Sequence, residues 1–223
     1  MKVKGSQAGW GIWLGWIAAS TVGMFVGFIA SFFAIVFIAM LTELVPGLGD
    51  VDWLGDLVFG IGLGVGVGVL QWVVLWIFLE LQSVGIGAGE LKWSVLWQQV
   101  SRAGWWVLAS VAACYGIINS GFIFISEPFR FDPLRIIGVV ALGGAVAGIL
   151  QWLVLRGKVS RAGWWVLAST VGWALGVTVA GAIPWGGDAE LLQLVMVAAV
   201  MGVVTGGALV WLLRHPVPEA QLE

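Results

Sequence analysis

Six stretches of this 223-residue chain, 9–41, 57–79, 103–125, 136–155, 162–185 and 191–213, contain no charged residue. Each approaches or exceeds the roughly 20 apolar residues that cross the hydrocarbon of a bilayer. Inside lipid every backbone N–H and C=O must be satisfied within the segment, which leaves the helix as the form a lone span can take. Composition agrees: 61 % of residues are hydrophobic and 10 % charged, against about 25 % charged in a soluble domain. The expected fold is an all-α integral membrane protein of six transmembrane helices.

An eleven-residue run, Val-Ser-Arg-Ala-Gly-Trp-Trp-Val-Leu-Ala-Ser, occurs at 100–110 and again at 159–169, and the match extends upstream to Leu91 and Leu150. A fixed offset of this kind marks duplication, so one unit can be read through another. Each unit reads as a helical hairpin. An A helix carries Trp and then Ser, at Trp16/Ser20, Trp105/Trp106/Ser110 and Trp164/Trp165/Ser169. A Gly-rich B helix returns to Leu70-Gln71-Trp72, Leu150-Gln151-Trp152, or the related Leu209-Val210-Trp211. One membrane domain therefore divides into hairpins at 9–81, 101–156 and 160–214, an interfacial linker helix at 82–100 and a flexible tail at 215–223. The first hairpin is ten residues longer, mostly near the outer loop at 42–56.

With both termini cytoplasmic, the inner segments hold eight of the ten cations and the outer loops only Arg130 and Arg135. That bias follows the positive-inside rule. The first apolar run is too long for a secretory signal and belongs to the repeat, so it is expected to stay as a span. The bacterial inner membrane or a thylakoid-like membrane is the expected location.

These elements resemble bacterial polytopic membrane proteins that carry repeated LQWLVLR and GWWVLAS segments. The resemblance covers most of the chain and implies no activity. Mitochondrial carriers share the count of three hairpins, but their Pro-x-Asp/Glu-x-x-Lys/Arg signature is absent.

The linker breaks the regularity. Trp93, Leu96, Trp97 and Val100 recur at helical spacing opposite Glu90, Ser94 and Ser101, a pattern that suits an amphipathic helix on the cytoplasmic surface. A docking helix for a partner is the functional alternative.

Glycine at four-residue spacing is the strongest packing signal. Gly60, Gly64 and Gly68, then Gly144/Gly148, Gly172/Gly176 and Gly202/Gly206, let helix backbones approach in lipid. A hinge or thin pore wall is the sharper reading of the same residues. Ser20, Thr21, Gln71, Ser110, Asn119, Gln151, Ser169, Thr170, Gln193 and Thr205 are polar groups within the spans. Each needs a partner there, and Gln–Ser/Thr clamps between neighbouring helices are expected. A polar pathway is the alternative. Thirteen of the sixteen tryptophans fall near the inner boundary, as an interfacial belt would place them.

Little else carries chemistry. The net charge of −2 gives no basic footprint for nucleic acid. Cys114 is single, so no intrachain disulfide forms, and His215 follows the last span and offers no pigment ligand within it. Asp56, Asp132 and Asp188 stand where carboxylates cap B helices. No catalytic residue, cofactor or metal is expected, although a bound lipid or pigment would fit grooves between hairpins. The leading expectation is a non-enzymatic scaffold or accessory subunit. Its partners are the lipid bilayer and other membrane subunits or further copies of itself, docking through the Gly-rich faces or the 82–99 helix. A channel or facilitator for a small solute, and a lipid-, quinone- or carotenoid-binding protein, are the alternatives.

Overall fold

The computed structural model describes residues 7–44, 52–80, 104–117, 133–156, 159, 161–183 and 190–214. Apart from Arg156, Val159, 161–163, Ile183 and Arg214 they are helical: α1 (Gln7–Leu44), α2 (Asp52–Glu80), α3 (Gly104–Ile117), α4 (Pro133–Leu155), α5 (Trp164–Ala182) and α6 (Glu190–Leu213). Five of the six, all but α3, are long and apolar enough to cross a membrane, as a helical membrane protein requires. The described part of α3 is shorter, and the remainder of the run expected to reach 125 lies outside the described residues. So do the 82–100 segment with Trp93, Leu96, Trp97 and Val100, and the 215–223 tail.

Glycine decides which helices touch. Gly23 meets the backbone of Gly66 and Val67, and Gly27 that of Gly62 and Leu63, so α1 and α2 run antiparallel with their backbones in contact. The other face of α2 carries Gly60, Gly64 and Gly68 against Tyr115, Val111 and Val107 of α3. Further round, Ile117 of α3 lies on Gly143 of α4, and Gly148 of α4 lies on Val166 of α5. Gly176 of α5 meets Val197 of α6, and Gly202 of α6 meets Ile17 of α1. Each helix therefore packs antiparallel on the next and α6 closes on α1, making a six-membered ring. Without Cβ atoms the axes come close enough for dispersion, rather than hydrophobicity, to hold the helices together.

Two apolar clusters fill the ring. One gathers Ile12, Trp16, Leu75, Trp106, Leu155, Trp165, Leu209 and Leu212 near one end. Val159 and Ala162, from the connection between α4 and α5, belong to it as well. That connection turns through Arg161 at φ 60, a left-handed conformation costly for a side chain with a Cβ. The guanidinium of Arg161 rests 5.8 Å from the Trp211 ring centroid. The second cluster, with Met24, Leu63, Val67, Cys114, Ala198 and Met201, lies farther along the axis.

Two expected boundaries move. Helix α1 continues to Leu44, 28 residues past Trp16, whereas α5 ends at Ala182, 17 past Trp165. The extra length of the first unit is thus mainly helix rather than loop. Asp56 lies inside α2, which begins at Asp52, so it is not the residue before the helix.

Candidate functional site: an axial polar cavity

Adjacent residues on a helix point about 100° apart, so the two rings of a Trp-Trp pair cannot share a face. In each copy the first ring is outward: Trp105 is 68 % exposed and Trp164 55 %. The second is inward, and Trp106, Trp165 and Trp16 are 0 %, 1 % and 0 % exposed. Their ring centroids form a triangle with sides of 5.9, 5.7 and 5.7 Å, two of the contacts edge-to-face. Pairs of this geometry add about 0.5–1.5 kcal/mol beyond area burial. The outer rings are exposed, as an interfacial belt would require, while three tryptophans close the centre of the ring instead.

Four residues after each inner tryptophan comes a serine, on the same helix face and one turn along. The hydroxyls of Ser20 and Ser110 donate back to the carbonyls of Trp16 and Trp106, at 2.9 and 3.0 Å. The same hydroxyls accept from glutamine: Gln71 Nε2 to Ser20 at 3.0 Å, and Gln151 Nε2 to Ser110 at 3.3 Å. Each bond ties a B helix to the preceding A helix. Gln151 also accepts the Trp165 indole N–H at 2.9 Å, which joins α3, α4 and α5 in one chain of bonds. Thr170 does not join it. Its hydroxyl donates to Val166 O at 2.8 Å within α5.

The third acceptor is not at 210. Gly68, Gly148 and Gly202 make the same contact, on the residue after the inner tryptophan and on the serine of the next A helix round the ring: Val107/Ser110, Val166/Ser169 and Ile17/Ser20. Three residues beyond these glycines stand Gln71, Gln151 and Thr205. Thr205 Oγ1 accepts the Trp16 N–H at 2.9 Å, just as Gln151 serves Trp165. The spacing from serine to acceptor is therefore 51, 41 and 36 residues, and the Leu209-Val210-Trp211 element sits five residues past the equivalent position. The glycine register carries this signal in the sequence, whereas alignment on tryptophan hides it.

Between the triangle and the second apolar cluster lies a cavity of about 20 Å³. Gln71, Ser110, Gln151, Ser169 and Thr205 line it, from α2 to α6, together with apolar neighbours including Trp173 and Met201. Of the nine candidate glycines, Gly60, Gly64, Gly144 and Gly206 lie in the same interhelical seams as the three just described, and Gly172 and Gly176 lie in the seam between α5 and α6. Gln193, expected within the bundle, is exposed. Ser31 went unanticipated: it is fully buried, donates to Gly27 O at 2.7 Å and packs over Gly62. Its signal was the small-residue series Gly23, Gly27, Ser31.

The polar layer is neutral and its donors and acceptors largely satisfy one another. Among the described residues one buried side-chain polar atom is left over, Trp106 Nε1. Comparison with protein family models, curated proteins and solved structures finds no match for this chain.

Proposed function

We propose that this chain is a six-span protein of three tandem hairpins around a pseudo-threefold axis, and that it acts as a non-enzymatic scaffold or accessory subunit of a membrane complex. On this reading the termini are cytoplasmic, in a bacterial inner or thylakoid-like membrane.

One observation carries the proposal. The apolar part of α1, Gly9–Leu44, has 36 residues, or about 54 Å at 1.5 Å per residue. The hydrocarbon is about 30 Å thick, and tilts beyond about 40° are not the rule. By the same measure α5, with 19 residues, is about 28 Å long and fits. The far end of α1 therefore extends past the lipid while presenting Phe37, Met40 and Leu44 at 62 %, 58 % and 74 % exposure. An apolar surface in that position calls for a protein cover. The candidate glycines pack against this chain's own helices, so the partner face moves from the glycines to this phenylalanine-rich end.

A photo-crosslinker at Phe37, with one at the exposed Leu14 near the other end of α1 as the lipid-facing control, tests the reading. A single defined protein adduct at Phe37 and lipid at Leu14 supports it. Lipid alone at both positions overturns it.

The convergence of five polar side chains on one axial cavity favours a second reading, a facilitator for a small neutral solute with the tryptophan triangle as its closed gate. Flux through liposomes at background for both the wild type and Trp106→Ala rules that reading out.

A further inference from the structure

Two cations stand at one end of α6 without an opposite charge beside them. Arg214 directly follows the last residue of α6, and Arg161 comes three residues before the first of α5. Both are exposed, and neither guanidinium has an ion pair or a hydrogen bond among the described residues. The acids of α1 and α6, Glu43 and Glu190, lie at the opposite ends of those helices, and α5 has none.

Both guanidiniums are held in place. Arg161 keeps its φ of 60 between Val159 and Ala162, which are buried in the first apolar cluster. Backbone strain enforced by such packing is characteristic of functional positions. The Arg161 guanidinium lies over the Trp211 ring, which packs edge-to-face with Trp164. Arg214 lies against Gly9 of α1, where an added Cβ would come within 2.8 Å of Nη2.

An apolar strip leads away from these cations along the outside of α6. Val203, Gly207, Trp211 and Arg214 follow one another at four, four and three residues, which is one helix face, and all four are exposed. Trp13 of α1 borders the strip and donates its indole N–H to Val203 O at 3.0 Å, while Trp164 of α5 packs on Trp211. Gly207 leaves a dent, since a Cβ there would meet nothing nearer than Trp13 Nε1 at 3.8 Å. Arginine forks suit a phosphate, and tryptophans beside them mark headgroup depth. A cationic end on a lipid-exposed apolar strip fits an amphiphile with an anionic head.

We propose that the outer face of α6 is a binding site for one acidic phospholipid. Its phosphate sits between Arg161 and Arg214, and an acyl chain runs along Trp211, Gly207 and Val203.

Native mass spectrometry of the intact protein, released from nanodiscs of equal phosphatidylglycerol and phosphatidylcholine with the same acyl chains, tests the site. One phosphatidylglycerol is expected to be retained in preference to phosphatidylcholine; equal retention of the two overturns the proposal. Arg161→Gly removes the cation and relieves the left-handed strain, so misfolding would not explain a loss of lipid in it. It and Arg214→Gln are each expected to lower retention about fivefold, and full retention in both overturns the assignment. Arg156 is equally exposed but rests 5.9 Å from the Trp152 ring centroid on α4. Arg156→Gln is expected to change nothing, and a matching loss there would mean diffuse surface charge rather than a site. Gly207→Leu fills the dent and is expected to lower retention with both arginines in place. Displacement of the lipid by an excess of inorganic phosphate would assign the arginines to a soluble anion and overturn the lipid.

Discussion

Residues 100–110 and 159–169 are identical, yet the two copies end in different hydrogen-bonding states. Both send the second tryptophan to the axis. Trp165 finds Gln151 at 2.9 Å, and Trp106 finds no partner among the described residues. Local sequence sets the direction of the ring, since position on the helix face is a property of the helix alone. Satisfaction of the N–H is set by the neighbouring B helix, and there the copies differ in context. On α4 the glutamine spans both duties, donating to Ser110 and accepting from Trp165. On α2 only the donation to Ser20 is made among the bonds of the polar layer. The two copies thus share the donor and the glutamine opposite it, and differ in which of that glutamine's bonds are made.

Emptying a corner of the triangle tests the two copies most severely. Trp106→Ala and Trp165→Ala are each expected to lose about 3–5 kcal/mol, read by unfolding in mild detergent with far-ultraviolet dichroism. If one costs far less than the other, the triangle is not a shared core. Trp165→Phe and Trp106→Phe isolate the N–H, because both shrink the ring alike. The former also strips Gln151 of a donor, so it is expected to be worse by about 1–2 kcal/mol. Equal losses would mean that the two N–H groups are equivalent after all. Thr205→Val should put Trp16 in the position of Trp106, at a cost of about 1 kcal/mol. A Val variant as stable as wild type would show that the Trp16–Thr205 bond contributes nothing. Smallest is Gly116→Ala in α3, where an added Cβ meets nothing within 4 Å. It is expected to stay within about 0.5 kcal/mol of wild type, while Gly64→Ala, facing the Val111 backbone, destabilises.

The helices were legible because runs without charge leave lipid-crossing segments few alternatives. The Gln–Ser pairs were legible too, since the repeat keeps each serine four residues beyond an inner tryptophan and each glutamine on the returning helix. Three features were obscured for physical reasons. An indole is amphipathic, so Trp16, Trp106 and Trp165 read as belt residues from composition, and only the angular offset between Trp105 and Trp106 separates an outer ring from an inner one. Thr205 replaces glutamine with a shorter acceptor, and a nearby Leu-x-Trp element imitates the glutamine motif at the wrong depth. The continuation of α1 to Leu44 is masked by Pro46 and the glycines that follow, which draw the surplus residues into a loop on paper.

The tryptophan triangle also gives the molecule an optical signature. Three indoles held 5.7–5.9 Å apart at fixed, chiral angles couple their electronic transitions. Near-ultraviolet circular dichroism should therefore contain a couplet that belongs to no single residue. Removing any one corner leaves a single coupled pair and changes the shape and amplitude of that couplet, even when the remaining tryptophans keep their own bands. The native assembly of α1, α3 and α5 can then be followed by light alone, in any detergent and without a label.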